Sequence, residues 1–392
     1  MTPMRLAIVA RRFWPCAGSM ETRAVQLACG LADCGAEVTL LTARWQPSWP
    51  ADVVYHGLPI VRLDPPPLGR WTTWRWKRSL SNWLRRHVDD LDLVYVYGLG
   101  DEAQVAVEAM GRGVPVVLVP ARTGWQGDCF RQVEIAGGQG IKNACMKAAA
   151  FVALDLAARR ELEAAGYPRT RIHDLTPGVV ELPIRTSETV VAARALLVDA
   201  NAALQLPPQA PLIVSTGRLE AGRGIEHLLE AWSIVAPQFA TARLWFAGEG
   251  AARAEVLQRI DAMQLTSRAG WIGNFDAIEG LLTAADILVA PGPDGSPQAI
   301  LEAMAAGIPS VAIDVPVNRW LLGDDAAGLL VPPDDPVAFA AALHRLLGDA
   351  DLAARLGLAG RQRVQRDFLI AKMIREHLDL FARLTYSSRS AR

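Results

Sequence analysis

Residues 286–312, DILVAPGPDGSPQAILEAMAAGIPSVA, compress a strand, a loop, a helix and a second strand into one run. A chain built on such βαβ units is committed to a parallel sheet with helical crossovers. The apolar run 287–290 reads as the first strand; Pro291, Gly292, Pro293 and Gly295 then interrupt regular structure and leave backbone N–H groups exposed. Ser296 is a good N-cap, Pro297 suits the first helical position, and Gly307 suits the position just past the last turn. Asp294 in the loop and Glu302 on the helix stand eight positions apart, so two carboxylates flank a helix N-terminus that itself attracts anions. An ordinary strand–helix layer, with Glu302 in a side-chain network and Asp294 in a turn, accounts for the same residues.

A second signal begins at the strand 212–215, which runs into TGRLEAGRGIEHLLEAW. Arg218 follows the strand, Arg223 comes five residues later between Gly222 and Gly224, and an amphipathic helix starts at once with Ile225, Leu228, Leu229 and Trp232 on its apolar face. Two guanidiniums and a helix N-terminus suit a diphosphate, because charge-assisted bidentate bonds are the strong ones. Two surface arginines on a loop are the plainer alternative. The next strand, 244–247, ends in the turn Gly248, Glu249, Gly250; Trp271, Ile272 and Gly273 follow after a helix. Beyond 312 the pattern gives a turn at 332–335, a helix over 337–347 and a mostly helical stretch over 352–380.

The N-terminal half opens with strand 6–10, a turn at 15–19 holding Gly18, helix 21–33 and strand 38–42, a Rossmann-like start. Residues 45–67 read as irregular with a short strand over 59–63. Strands 93–97 and 114–119 enclose helix 101–110, and the second of them ends in PARTGWQGD, with Arg122 and Asp128. Strand 150–154, a helix ending at Gly166 and strand 172–175 complete this half, and a helix over 188–203 reads as a linker. Residues 70–87, RWTTWRWKRSLSNWLRRH, hold six Lys or Arg, four Trp and no acid. At helical spacing Trp76, Leu80, Trp83, Leu84 and His87 share a core face, while Trp71 and Trp74 fall beside Arg78 and Arg85 on the other. Two readings are open there: rings packed on a neighbouring loop, or peripheral contact with an anionic membrane.

With 392 residues the chain has material for two cores. Its net charge of −1 argues against a nucleic-acid binder, and no apolar run reaches membrane-spanning length. The N-terminus enters a strand directly, so no signal peptide is expected and the cytoplasm is the default location, with the inner face of the membrane as a peripheral site. Five cysteines without metal-ligand spacing read as free thiols.

The order of these motifs resembles the retaining nucleotide-sugar glycosyltransferases of the GT-B fold, family 4, also called glycosyl transferases group 1, over nearly the whole chain. The resemblance implies an α/β protein of two facing Rossmann-like domains with parallel sheets and a cleft between them. The domains would be an acceptor-side domain over 1–180, a linker with a helix over 181–210, a donor domain over 211–365, and a C-terminal helix over 366–392 crossing back toward the first domain. It assigns catalytic roles to Arg218, Arg223 and Asp294. Donor binding falls to Gly18, Gly217, Gly248, Gly250, Ile272, Gly295, Ser296, Pro297, Gln298 and Glu302, with Glu302 on the ribose and Asp294 on the sugar. The acceptor side would hold Arg122 and Asp128, although each could equally belong to a loop ion pair worth little.

The sequence departs from the family pattern at Asp294 and Arg223, where Glu and Lys are usual, at Pro177, and at Ala121 or Arg122, near which a His is usual. No metal and no cofactor are expected, the arginines taking the place of a divalent cation. The implied reaction, in polysaccharide biosynthesis, moves a sugar from a nucleotide sugar, a UDP-sugar first, to a glycan, lipid-linked or small-molecule acceptor. A nucleotide-sugar epimerase and a non-catalytic nucleotide-sugar-binding subunit are the alternatives.

Overall fold

The computed structural model describes residues 3–16, 18–111, 113–124, 127–207, 209–275, 278–292, 297–324 and 326–390. It divides into two compact units, one of Met1–Cys16, Met20–Gly178 and Ile370–Arg392, the other of Ala17–Ser19 and Val179–Leu369.

In chain order the first unit contains β1 (Arg5–Ala10), α1 (Ser19–Asp33), β2 (Glu37–Ala43), β3 (Asp52–Tyr55), β4 (Leu58–Leu63), α2 (Arg70–Arg86), β5 (Leu93–Tyr97), α3 (Asp101–Met110), β6 (Val116–Val119), α4 (Asp128–Glu134), α5 (Gly138–Cys145), β7 (Ala150–Ala153), α6 (Leu156–Ala164) and β8 (Ile172–Asp174). Its strands form one sheet in the order β3-β4-β2-β1-β5-β6-β7-β8, parallel except for β3–β4. Both faces are covered, which is why the strands read as unbroken apolar runs. Along β1, Ala7 and Val9 pack with Trp76, Leu80 and Leu84 of α2, while Leu6 and Ile8 pack with Leu27 and Leu31 of α1.

The second unit contains α7 (Ser187–Ala200), β9 (Leu212–Thr216), α8 (Ile225–Val235), β10 (Arg243–Ala247), α9 (Arg253–Ala262), β11 (Ala269–Gly273), α10 (Ile278–Ala284), β12 (Ile287–Ala290), α11 (Pro297–Ala306), β13 (Ser310–Ile313), α12 (Pro316–Leu322), β14 (Gly328–Val331), α13 (Pro336–Gly348) and α14 (Ala350–Arg363). Its sheet has the order β11-β10-β9-β12-β13-β14. Leu212 and Val214 face the α11 side and Ile213 the α8 side, so this sheet too is buried on both faces. A π-helical turn, Val364–Phe368, ends α14, and α15 (Ile370–Ser390) returns to the first unit, burying Met373, Ile374, His377 and Phe381 there.

Several local readings are corrected. Residues 45–67 hold a hairpin, β3–β4, turned by His56 and Gly57 with φ of 49° and 77°, the double positive φ of a tight hairpin. The strand β3 was missed because its alternation is only four residues long and leaves Val54 in water. The helices α4 and α5 were not anticipated in a stretch rich in glycine; α5 has a left-handed Gly137 as its cap, no side-chain capping bond, and is held by burial of Ile141, Ala144 and Cys145. The helix read as part of a linker belongs to the second unit, where Arg185 and Arg194 both bind the Asp286 carboxylate, at 2.7 and 2.9 Å, and Ala193 and Leu197 join the core. The stretch 352–380 is mostly helical as read, divided between α14 and α15.

All five cysteines are free, and burial pushes the Cys129 and Cys145 thiols up to about 12. Among the described residues no helix is long and apolar enough to cross a membrane.

Candidate functional site

In the second unit the chain runs outward from β9 through β10 to β11, then returns to the other side of β9 as β12. Such a reversal separates the loops at the carboxyl ends of the two neighbouring strands and opens a crevice for ligands. The loop after β9 carries Gly217, Arg218, Arg223 and Gly224, and the loop after β12 leads through Pro291 and Gly292 to α11.

Close backbone packing holds these loops together. Gly224, at φ 71°, caps α8 and lies so near the Pro291 carbonyl that a Cβ there would overlap it. Gly248, at φ 139°, is pressed against the Gly217 carbonyl in the same way. Leu219 N donates to the Glu249 carbonyl at 3.1 Å and Gly248 N to the Gly273 carbonyl at 2.8 Å, which ties the turns after β9, β10 and β11 into one edge. Gly250 sits in the second of these turns, against Leu219.

Arg218 is partly exposed, and its guanidinium is held by Glu220 on its own loop, Nε at 2.7 Å and Nη2 at 2.6 Å from Oε1. Arg223 is half-buried in the turn before α8. On α11, Pro297 opens the helix and the Gln298 amide donates from Nε2 to Glu302 Oε1 at 2.9 Å. Gln298 is buried, and its Oε1 has no hydrogen-bond partner among the described residues, an acceptor left without a donor. Asp294, Gly295 and Ser296 lie outside the described residues.

Ile272 falls at a β-bulge: Phe246 pairs with Trp271 and Ala247 with Gly273, so the register skips it. The neighbouring Trp271 donates from Nε1 to the Gly248 carbonyl at 2.7 Å, and the Arg253 guanidinium covers its ring at 3.8 Å. Arg253, the first residue of α9, was not among the sequence candidates, and neither was Glu220.

The reversal in the first unit lies between β1 and β5. Gly18 sits half-buried in the turn after β1. Arg11, just past β1, meets Glu102 at 2.7 Å and Asp101 at 3.1 Å, and Lys77 reaches Asp101 at 3.1 Å. Asp128, the first residue of α4, accepts from Ala121 N at 2.7 Å and Leu99 N at 3.1 Å. Burial, with Glu102 nearby, raises its carboxyl to about 6 against the pull of those two amides. Arg122 is exposed, and the two do not form an ion pair among the described residues. Asp128 therefore staples two loops through their backbone amides.

Residues 18–178 match the family model described as glycosyl transferase 4-like domain, and residues 210–349 match the one described as glycosyl transferases group 1. The chain is 30% identical over 217 residues to the lipopolysaccharide core biosynthesis glycosyltransferase LpsD of Rhizobium meliloti, covering 54% of this chain and 62% of that protein. It thus spans less than two thirds of the length of the curated relatives it matches first. Among solved structures it is similar to sucrose-phosphate synthase from Thermosynechococcus elongatus, with a TM-score of 0.81 at 21% identity over 98% of this chain and 100% of that one. Anabaena Alr3699/HepE, solved with UDP and glucose, follows with a TM-score of 0.78 at 16% identity over 97% and 99% of the two chains. Two α/β domains with parallel sheets, as in these GT-B structures, are the fold of this protein.

Proposed function

We propose that this chain is a retaining, family 4 glycosyltransferase that moves a sugar from a nucleotide-sugar donor to a glycan or lipid-linked acceptor. The observation that carries the reading is the edge where Arg218, the N-terminus of α8 and the glycine turns after β9 and β10 meet at a sheet reversal, within the matched group 1 domain. A diphosphate placed there would take Arg218 from Glu220 and receive Arg223 as a second cation. Glu302 would accept from the ribose hydroxyls, Asp294 would contact the sugar, and the bulged backbone of Ile272 with Trp271 would border the base. The UDP in the Alr3699/HepE structure supports a UDP-sugar as first candidate, and the LpsD name supports a lipid-linked glycan as acceptor.

In this reading the acceptor hydroxyl oxygen bonds to the anomeric carbon on the face that the diphosphate leaves. The bond to the diphosphate oxygen breaks, the hydroxyl proton passes to a donor phosphate oxygen, and nucleoside diphosphate departs with the electron pair. Arg218, Arg223 and the helix N-terminus stabilise the charge growing on that leaving group, the part a divalent cation plays elsewhere. The work would be done in the cytoplasm, with the acceptor at the inner membrane face.

The test is a panel of UDP-, GDP- and ADP-sugars, with and without acceptors, in the presence and absence of EDTA, with the anomeric configuration of the product read by NMR. Transfer with retained configuration and no EDTA effect is expected. Donor turnover without any acceptor would replace the reading by an epimerase, and binding without turnover by a non-catalytic subunit.

A further inference from the structure

One face of α2 is not used by the core. Trp76, Leu80 and Leu84 are fully buried, whereas Trp71, Trp74, Arg75, Arg78, Asn82 and Arg85, spaced as one helical stripe, are all exposed. Trp71 is 68% and Trp74 50% exposed, so neither ring is packed away on a neighbouring loop. The two rings stack on each other at 5.1 Å, with the Arg78 guanidinium 5.9 Å from the Trp74 ring. The helix contains no acid, and Arg70, Arg75, Arg78, Arg85 and Arg86 have no carboxylate partner among the described residues. Lys77 alone is tied down, by Asp101 at 3.1 Å and Gln104 at 2.9 Å.

The stripe also has neighbours of its own kind. Helix α2 follows β4, so its N-terminal end stands at the carboxyl edge of the first sheet, and the Lys77 contact sets it beside the start of α3. The bond from Leu99 N to Asp128 brings the start of α4 to the same place. There α4 exposes Phe130 at 47% and Val133 at 77%, with Arg131 between them, and Leu68, just before α2, is 74% exposed. Glu134, the last residue of α4, is the exposed acid of that helix.

Amphipathic rings beside unpartnered guanidiniums match the chemistry of a lipid headgroup layer: indoles sit at the boundary of the acyl region, and arginines meet phosphates. We infer that the N-terminal half of α2, with the exposed rim of α4, docks this protein on an anionic membrane surface. Charge complementarity selects the occupant, because a neutral apolar partner would leave Arg70, Arg75 and Arg78 of that half unanswered. The inference deepens the proposed function by placing a lipid-anchored acceptor at the same edge of the first unit, and it rests on that reading only for the acceptor.

The experiment uses the full chain with phosphatidylglycerol-containing vesicles or pure phosphatidylcholine vesicles, at low and high salt, with no sugar donor present. Pelleting with the anionic vesicles at low salt, release at high salt, and no pelleting with phosphatidylcholine are expected. The Trp71→Ala/Trp74→Ala variant should partition on the order of tenfold more weakly. Arg75→Gln/Arg78→Gln should lose about fivefold per charge removed. Both variants should melt like wild type, since these side chains stand in water. Wild type left in the supernatant with anionic vesicles at low salt overturns the inference. So does a tryptophan variant that pellets like wild type, or sedimentation velocity showing that the tryptophans join two copies of the chain. Because no donor enters the assay, failed sugar transfer leaves its result untouched.

Discussion

At the reversal between β1 and β5 the first unit closes its carboxyl edge with its own side chains. Arg11 is taken by Asp101 and Glu102, Lys77 by Asp101, and Asp128 by two backbone amides. Among the described residues, at the reversal between β9 and β12 the second unit leaves Arg218 partly exposed against Glu220, glycine turns without side chains, and a buried Gln298 oxygen without a donor. The two sheets share a winding rule, so topology alone opens a crevice in each. Side chains then decide which crevice is neutralised from within and which can still take an anion.

The largest test of that contrast is on the cations of the second unit. Arg218→Ala is expected to lower turnover by roughly a hundred- to a thousandfold, the usual cost of removing one donor to a developing anion. Adding Arg223→Ala should cost less than the product of the two single losses, as both act on one group. Steady-state kinetics of the single and double variants decide it; small, purely multiplicative losses would make both arginines surface residues and erase the contrast.

Next in size is Glu302→Ala, which should weaken nucleoside diphosphate binding by about 1.5–3 kcal/mol through loss of charge-assisted bonds to the ribose. Calorimetry on the folded variant measures this directly. An unchanged affinity would remove Glu302 from the site.

The first unit is tested through pH. Asp128 titrates at about 6 in the fold against an ordinary 3.8, so between those values the folded state binds the proton more tightly than the unfolded chain. Its contribution to stability is therefore full below 3.8 and is lost as pH rises through 6. His377 behaves oppositely: buried against Tyr95, with Nδ1 on the Met373 carbonyl, it is lowered from 6.5 to about 4 by burial. Stability from that group is full above 6.5 and is lost as pH falls toward 4. Over the shared window the two slopes oppose each other. Asp128→Asn should steepen the acid loss of stability and His377→Gln should flatten it, relative to wild type, in urea midpoints measured against pH. Parallel curves for all three proteins would mean that neither group is held as described.

The smallest expected effect is at Glu220. An ion pair this exposed is worth roughly 0–1 kcal/mol, so Glu220→Gln should tighten diphosphate binding by a few-fold at most by releasing Arg218. Weaker binding in this variant would mean that Glu220 helps the ligand and does not compete with it.

Local chemistry made much of the fold legible. The strand–loop–helix–strand run around Glu302 and the helix Arg70–Arg86 were readable because apolar runs, N-caps and helical periodicity act within a few residues. The hairpin at His56 and Gly57 was not, since four residues of weak alternation look like a loop until β4 pairs with them. Helices α4 and α5 escaped for a related reason: both are short and bordered by glycines, and for α5 burial against α3 supplies what propensity does not. At the candidate site the sequence offered residue types in order, but Glu220 on Arg218, Arg253 over Trp271 and the two amides on Asp128 depend on loop paths that spacing does not encode.

By itself, then, the sequence determined that two parallel, doubly covered sheets would form, because burial on both faces and short crossovers are written into apolar runs and capping residues. Helical periodicity alone also separated the two faces of α2, with Trp76, Leu80 and Leu84 on the one that is buried and Trp71 and Trp74 on the other. Only the tertiary structure decided which loops share an edge, that Asp128 would be spent on backbone amides, and that Trp71 and Trp74 would stay exposed. Those outcomes depend on contacts between residues far apart in the chain, whose energies exist only once the strands have fixed the distances between them.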